Sequence, residues 1–127
     1  MFEKITLTLL VALLPTTLFA DEISDAKTVL EMWAPTSIEF SDGTLTVALP
    51  QRQITEEMYT AVLTAGLCLG QAIGKDFSDV SELVVLNQLK QQGYVNENGS
   101  GDCNRLNSMP IGNDAQRYII LGATHLY

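Results

Sequence analysis

The sequence predicts an α+β domain: an antiparallel sheet of four to five strands packed against one main helix (55–74), with a short N-terminal helix before it. Three observations predict it. Two segments that alternate polar and apolar residues flank Asp42-Gly43, the signature of a β-hairpin. Met58 to Gly74 runs without a charge, as a helix covered around most of its circumference would. Further β-rich runs follow at 83–86 and 117–127.

The chain opens on a short polar head, Phe2-Glu3-Lys4, followed by the uncharged run Ile5 to Leu14, the breaker Pro15, and Thr16 to Ala20. This order predicts a secretory signal peptide over 1–20, cut between Ala20 and Asp21, and one small globular domain over 21–127. The run is too short to span about 30 Å of hydrocarbon at about 1.5 Å per residue. No stable membrane span is therefore expected after cleavage. The expected location is the periplasm or the exterior.

In the mature part, Asp21 to Trp33 reads as a short helix, with Ser24 or Asp25 as its cap and Ile23, Val29, Leu30 and Trp33 as its apolar stripe. Pro35 ends it. The hairpin follows, with Ile38 and Phe40 sharing a buried face with Leu45, Val47 and Leu49, while Glu39, Thr44 and Thr46 face water. Thr55 caps the main helix, and Glu56 and Glu57 lie in its first turn, where the helix dipole favours negative charge. Gly66, Gly70 and Gly74 fall four apart on one stripe of it. Each mid-helix glycine costs about 1 kcal/mol against alanine, so the stripe predicts close approach of another backbone.

Two readings compete over 80–96. One is a strand at Leu83 to Leu86, a connection over Gln88 to Gln92 and a return strand at Tyr94-Val95. The other is a helix from Asp79 to Gln92. The first is preferred. Asn96 to Asp102 reads as a polar loop, Cys103 to Leu106 as one helical turn, and Met109 to Asp114 as another connection. Arg117 to Tyr127 is apolar on both alternate faces, which predicts an interior strand.

Cys68 and Cys103 are the only cysteines. In an oxidising compartment their single possible intramolecular pairing is a disulfide. The competing chemistry is a Cys nucleophile with His125, the lone histidine, as its base. Two Cys and one His lack the paired spacing of a zinc site. Glu56-Glu57 does not make a carboxylate pair, because adjacent helix residues point apart. The Asp76 to Asp79 segment lacks the pattern of a Ca²⁺ loop, and no Gly-rich phosphate loop is present. Asn98-Gly99-Ser100 matches a glycosylation acceptor. No cofactor is implied.

Composition narrows the class. A 46% hydrophobic chain is not generally disordered. Seven Lys+Arg against fifteen Asp+Glu give 127 residues a formal net charge of −8. That balance disfavours nucleic acid, which needs clustered bases, and anionic lipid. It favours steering toward a basic protein partner. The expectation is therefore an exported, acidic, non-catalytic binding or accessory protein, inhibitor- or immunity-like. The alternatives are a small thiol- or His-dependent hydrolase using Cys68 or Cys103 with His125, and a structural or assembly subunit of the cell envelope.

Overall fold

A computed structural model describes residues 18–110 and 114–127. Most of the predicted signal segment, residues 1–17, lies outside the described residues, as do residues 111–113 of the second connection. The described elements are α1 (Leu18–Val29), a 3₁₀ turn (Glu31–Trp33), β1 (Ser37–Ser41), β2 (Thr44–Ala48), α2 (Glu56–Ala61), a π-helical stretch (Val62–Cys68), α3 (Leu69–Ala72), β3 (Glu82–Leu86), β4 (Gly93–Asn96), α4 (Ser100–Asn107), α5 (Ala115–Gly122) and β5 (Thr124–Leu126). The class is α+β, with a five-stranded sheet in the order β1-β2-β3-β4-β5.

The sheet is mixed rather than antiparallel. β1–β2, β3–β4 and β4–β5 are antiparallel, but β2 and β3 run parallel, with Thr46 opposite Val84. The cause is the connection between them. A helix that leaves the end of β2 and packs back over the sheet returns the chain to the starting edge, so the next strand runs in the same direction.

The β1–β2 hairpin turns on Asp42 (φ 50°) and Gly43 (φ 80°), the two left-handed residues of a turn whose twist suits flanking strands. Ile38 lies opposite Val47 and Phe40 opposite Leu45. Over 80–96 the strand–connection–strand reading holds. Gly93 starts β4, where a Cβ would stand 1.9 Å from the Val85 carbonyl oxygen. Only glycine lets the two backbones meet there.

The main helix runs from Glu56 to Ala72, but its middle is π-helical. The Thr55 hydroxyl accepts from the Met58 amide at 3.2 Å and caps the start. Thr60 and Thr64 donate their hydroxyls to the carbonyls of Glu56 and Thr60. Such back-bonding competes with the ordinary helix ladder where the widened turn begins. At the far end of the stretch the Cys68 carbonyl accepts from Asn107 Nδ2 of α4 at 3.0 Å.

α1 is already helical at Leu18, so neither Ser24 nor Asp25 caps it, and the predicted cut between Ala20 and Asp21 falls within its first turn. Its inner stripe is Ala26 and Leu30, both fully buried, with Val29 and Trp33 packed against the core. The polar loop expected over 96–102 is shorter than predicted, because α4 already starts at Ser100.

The C-terminal expectation fails. Arg117 to Tyr127 is not an interior strand: Ala115–Gly122 forms α5, and only Thr124–Leu126 pairs, as the edge strand β5. A run apolar on both alternate faces has no two-residue period to separate strand from helix. The helix buries Ile120 completely and leaves Tyr118 72% exposed. An ion pair between Arg117 and Glu56 ties it to the start of α2.

The core lies between the helices and one face of the sheet, built from Leu45, Val47, Leu83 and Val85 below and Tyr59, Val62, Leu63, Leu106 and Ile120 above. The Cys68–Cys103 disulfide crosses this layer, joining the π-helical stretch to α4 with Cα atoms 4.6 Å apart and a sequence separation of 35.

Closing a loop of that length is worth about 4 kcal/mol in the chain-entropy model. Reduction, or the Cys68→Ala/Cys103→Ala double variant, is expected to lower the free energy of unfolding in urea by about that amount. Gly93→Ala is expected to cost about 3 kcal/mol or more, or to prevent folding, because carbonyl backbone cannot yield. A Cβ at Gly122 meets nothing within 4 Å. Gly122→Ala is therefore expected to leave stability unchanged or raise it by about 0.5 kcal/mol. Paired urea midpoints check all three.

Candidate functional site

Cys68 and Cys103 are 2% and 5% exposed, inside the core on the helical side of the sheet. Both sulfurs are in the disulfide, and there is no free cysteine among the described residues. His125 lies opposite Val95 on β5, on the other side of the sheet, with Nδ1 3.1 Å from Glu97 Oε1. The Cys–His arrangement of the hydrolase alternative is thus not assembled: the thiols are consumed, and the sheet separates them from the imidazole.

The glycine stripe divides. A Cβ on Gly66 would stand 2.6 Å from Leu30 Cδ2 and 3.2 Å from the Trp33 ring, and one on Gly70 would stand 2.6 Å from Val29 Cγ1. These two seat α1 and the 3₁₀ turn, and the close partner is a set of side chains rather than a backbone. Gly74 does not share that contact: it ends the helix with φ 104° and open space around it.

A polar cluster is buried where β4, α4 and α5 meet. Asn96 and Asp102 are both fully buried. Asn96 Nδ2 donates to Asp102 Oδ2 at 2.9 Å and to the Ile120 carbonyl at 3.3 Å. Asn96 Oδ1 accepts from the amides of Asn98 and Gly99 at 3.0 and 2.7 Å. Asn98 Nδ2 donates to Asp102 Oδ1 at 3.2 Å. The Tyr59 hydroxyl lies 2.6 Å from Thr124 Oγ1, which also donates to the Ile120 carbonyl. One asparagine side chain therefore fastens a strand, a loop and two helices. Every bond is internal, which makes the cluster a structural clasp. Nothing in the sequence singled out Asn96 or Asp102, since Asn and Asp beside glycine read as an ordinary loop.

The sheet's second face differs in kind. By strand alternation it carries Glu39 on β1, Thr44 and Thr46 on β2, Glu82, Val84 and Leu86 on β3, Val95 on β4 and His125 on β5. The registers set Glu39, Thr46, Val84, Val95 and His125 in one row across all five strands. Val84, Leu86 and Val95 form a separate apolar cluster on this side, buried at 5%, 2% and 5% exposure. Every described helix that contributes to the core does so on the opposite face. Two ion pairs edge the cluster: Lys90 Nζ reaches Glu39 Oε1 at 3.4 Å, and His125 meets Glu97. Glu39, Glu82 and Glu97 give the edge its acid excess.

No group of three or more His, Cys, Asp or Glu among the described residues is arranged to hold a metal ion. No described helix is long and apolar enough to cross a membrane. No family model, no curated protein and no solved structure matches the chain.

The clasp leaves a titration signature. Burial, with the Asp102 charge adding to it, pushes the Tyr59 phenol up to about 12, against the opposing hydrogen bonds from Thr124 and Asn96. The unfolded chain releases this proton near the ordinary value of 10. The folded state binds it more tightly, so its stabilising effect is complete below pH 10 and is lost as pH rises towards 12. The loss is at most about 1.4 kcal/mol per pH unit. Tyr59→Phe is expected to be less stable than the parent at neutral pH yet to show a smaller decline across that alkaline window, measured as urea midpoints against pH.

Proposed function

We propose that the chain is an exported, disulfide-locked binding protein that engages a basic protein partner through the second face of its sheet. The observation that carries this reading is the row Glu39, Thr46, Val84, Val95, His125 on the face opposite the described core helices: its apolar middle is buried, while Glu39 and His125 at its two ends are exposed, with Glu82 and Glu97 adding acid at the rim. Accessible polar side chains of this kind make up the rim of an interface. The net charge of −8 adds a long-range field that speeds the approach of a cation and repels other acidic proteins. A buried disulfide suits an oxidising compartment.

On this reading the rim glutamates govern encounter and fix the register of the complex. Cationic proteins retained from the natural cell envelope on the immobilised chain are to be purified and their affinity measured at low and high salt. A partner is expected whose affinity falls by about tenfold or more on adding salt, and falls comparably in the Glu82→Lys/Glu97→Lys variant. Finding no salt-sensitive partner, or one indifferent to both charge reversals, would refute the proposal.

A further inference from the structure

The carboxyl ends of the parallel strands β2 and β3 lie side by side, and the loops that leave them, 50–55 (PQRQIT) and 87–92 (NQLKQQ), contain no acid. In a chain where acids outnumber bases by two to one, this is a local reversal. Both loops are instead rich in amides and carry Arg52 and Lys90.

The two loops are clamped to each other. Asn87, 7% exposed, donates from Nδ2 to the Arg52 carbonyl at 2.9 Å and accepts at Oδ1 from the amides of Gln91 and Gln92 at 2.8 and 3.0 Å. The Gln92 side chain pairs with both backbone groups of Ile54, at 2.6 and 2.8 Å. The Gln88 amide donates to the Gln51 carbonyl at 2.8 Å. The Asn87 and Gln92 side chains are thus spent fixing the loop backbones. A shallow depression of about 310 Å³ results, lined by Arg52, Asn87, Gln88, Leu89 and Gln91. Its volume is at the lower end of the range for small-ligand sites.

Apart from Asn87, the side chains that line the depression are uncommitted among the described residues. Arg52 forms no ion pair and no side-chain hydrogen bond among the described residues, whereas Lys75, Lys90 and Arg117 each hold a carboxylate. The side-chain amides of Gln88 and Gln91 are likewise free, and Leu89 is 70% exposed. A guanidinium on a prearranged backbone suits a carboxylate, which it meets with two parallel bonds. Amides that both donate and accept suit neighbouring hydroxyls. A solvent-facing leucine suits the apolar face of a ring.

We propose that this depression binds a polyhydroxylated carboxylate, an acidic sugar, with Arg52 on the carboxylate, Gln88 and Gln91 on the hydroxyls and Leu89 beneath the ring. The site lies at the strand ends, so its test is independent of the second face of the sheet. The disulfide-bonded chain is titrated with D-glucuronate, D-glucose and acetate while its backbone amide NMR signals are followed. D-glucuronate is expected to give saturable shifts confined to 51–54 and 87–92, with a dissociation constant of roughly millimolar size for so small a probe. Glucose and acetate are each expected to bind about tenfold more weakly or worse. Arg52→Gln, a change at an exposed side chain without a partner, should bring glucuronate down to the level of glucose. Gln88→Ala/Gln91→Ala should weaken glucuronate and glucose alike while leaving acetate unaltered. Unsaturable or scattered shifts, an equal response to glucose, an Arg52→Gln variant that binds as the parent does, or acetate binding as well as glucuronate would each overturn the assignment.

Discussion

Because β2 and β3 run in the same direction, the chain has to cross the sheet between them, and that crossing organises the molecule. The helix over Glu56–Ala72 lies on the inner face of the two strands and buries Tyr59, Val62, Leu63 and Leu67 there. It makes that face the seat of the core. α1 then seats against Gly66 and Gly70, and α4 and α5 close the other flank through Leu106 and Ile120. These helices gather on one side; the opposite face carries Glu39, Thr44, Thr46, Val84, Val95 and His125, of which Val84 and Val95 are buried.

Two devices hold the later elements on that layer. The disulfide ties the crossing helix to α4, with a model contribution of about 4 kcal/mol. That is a large share of the roughly 5–15 kcal/mol that stabilises a domain. The Asn96–Asp102 clasp holds α4, α5 and β4 through hydrogen bonds that have no water to compete with them. Surface ion pairs such as Lys75–Asp25, at 3.6 Å, contribute far less. Removing one clasp partner would strand a buried carboxylate, which costs more than any single exposed pair gains.

The parts of the fold legible in the sequence are those governed by local rules. Alternation around Asp42-Gly43 fixes the hairpin and its register, a hydroxyl ahead of two acids marks the start of the main helix at Thr55, and the lone pair of cysteines leaves one possible intramolecular bridge. The illegible parts depend on partners distant in sequence. The direction of β3 is set by the helix that precedes it, not by Leu83 to Leu86 themselves. Arg117 to Leu121 carries no period, and its helical form depends on Ile120 entering the core and Arg117 finding Glu56. The π-helical stretch depends on Thr60, Thr64 and the reach of Asn107 from α4. Of the surfaces, the second face was half legible, since Glu39, Thr44 and Thr46 read as solvent-facing. Its extension across β3, β4 and β5 required the register. The loop pair at the strand ends was not legible, because Arg52 and Gln88 become neighbours only through parallel pairing.

The charge distribution now has an address. Acids edge the second face, while the ends of the parallel strands are free of them. The proposed partner contact depends on the sheet having one core face and one face whose rim is open to solvent, and solvent paramagnetic relaxation tests that division directly. With a soluble gadolinium probe and the disulfide intact, protons of Thr44, Thr46, Glu82 and His125 are expected to relax strongly while those of Leu45, Val47, Leu83 and Val85 stay protected. Equal protection of both sets would mean that the second face is covered, and would contradict its role as a contact surface.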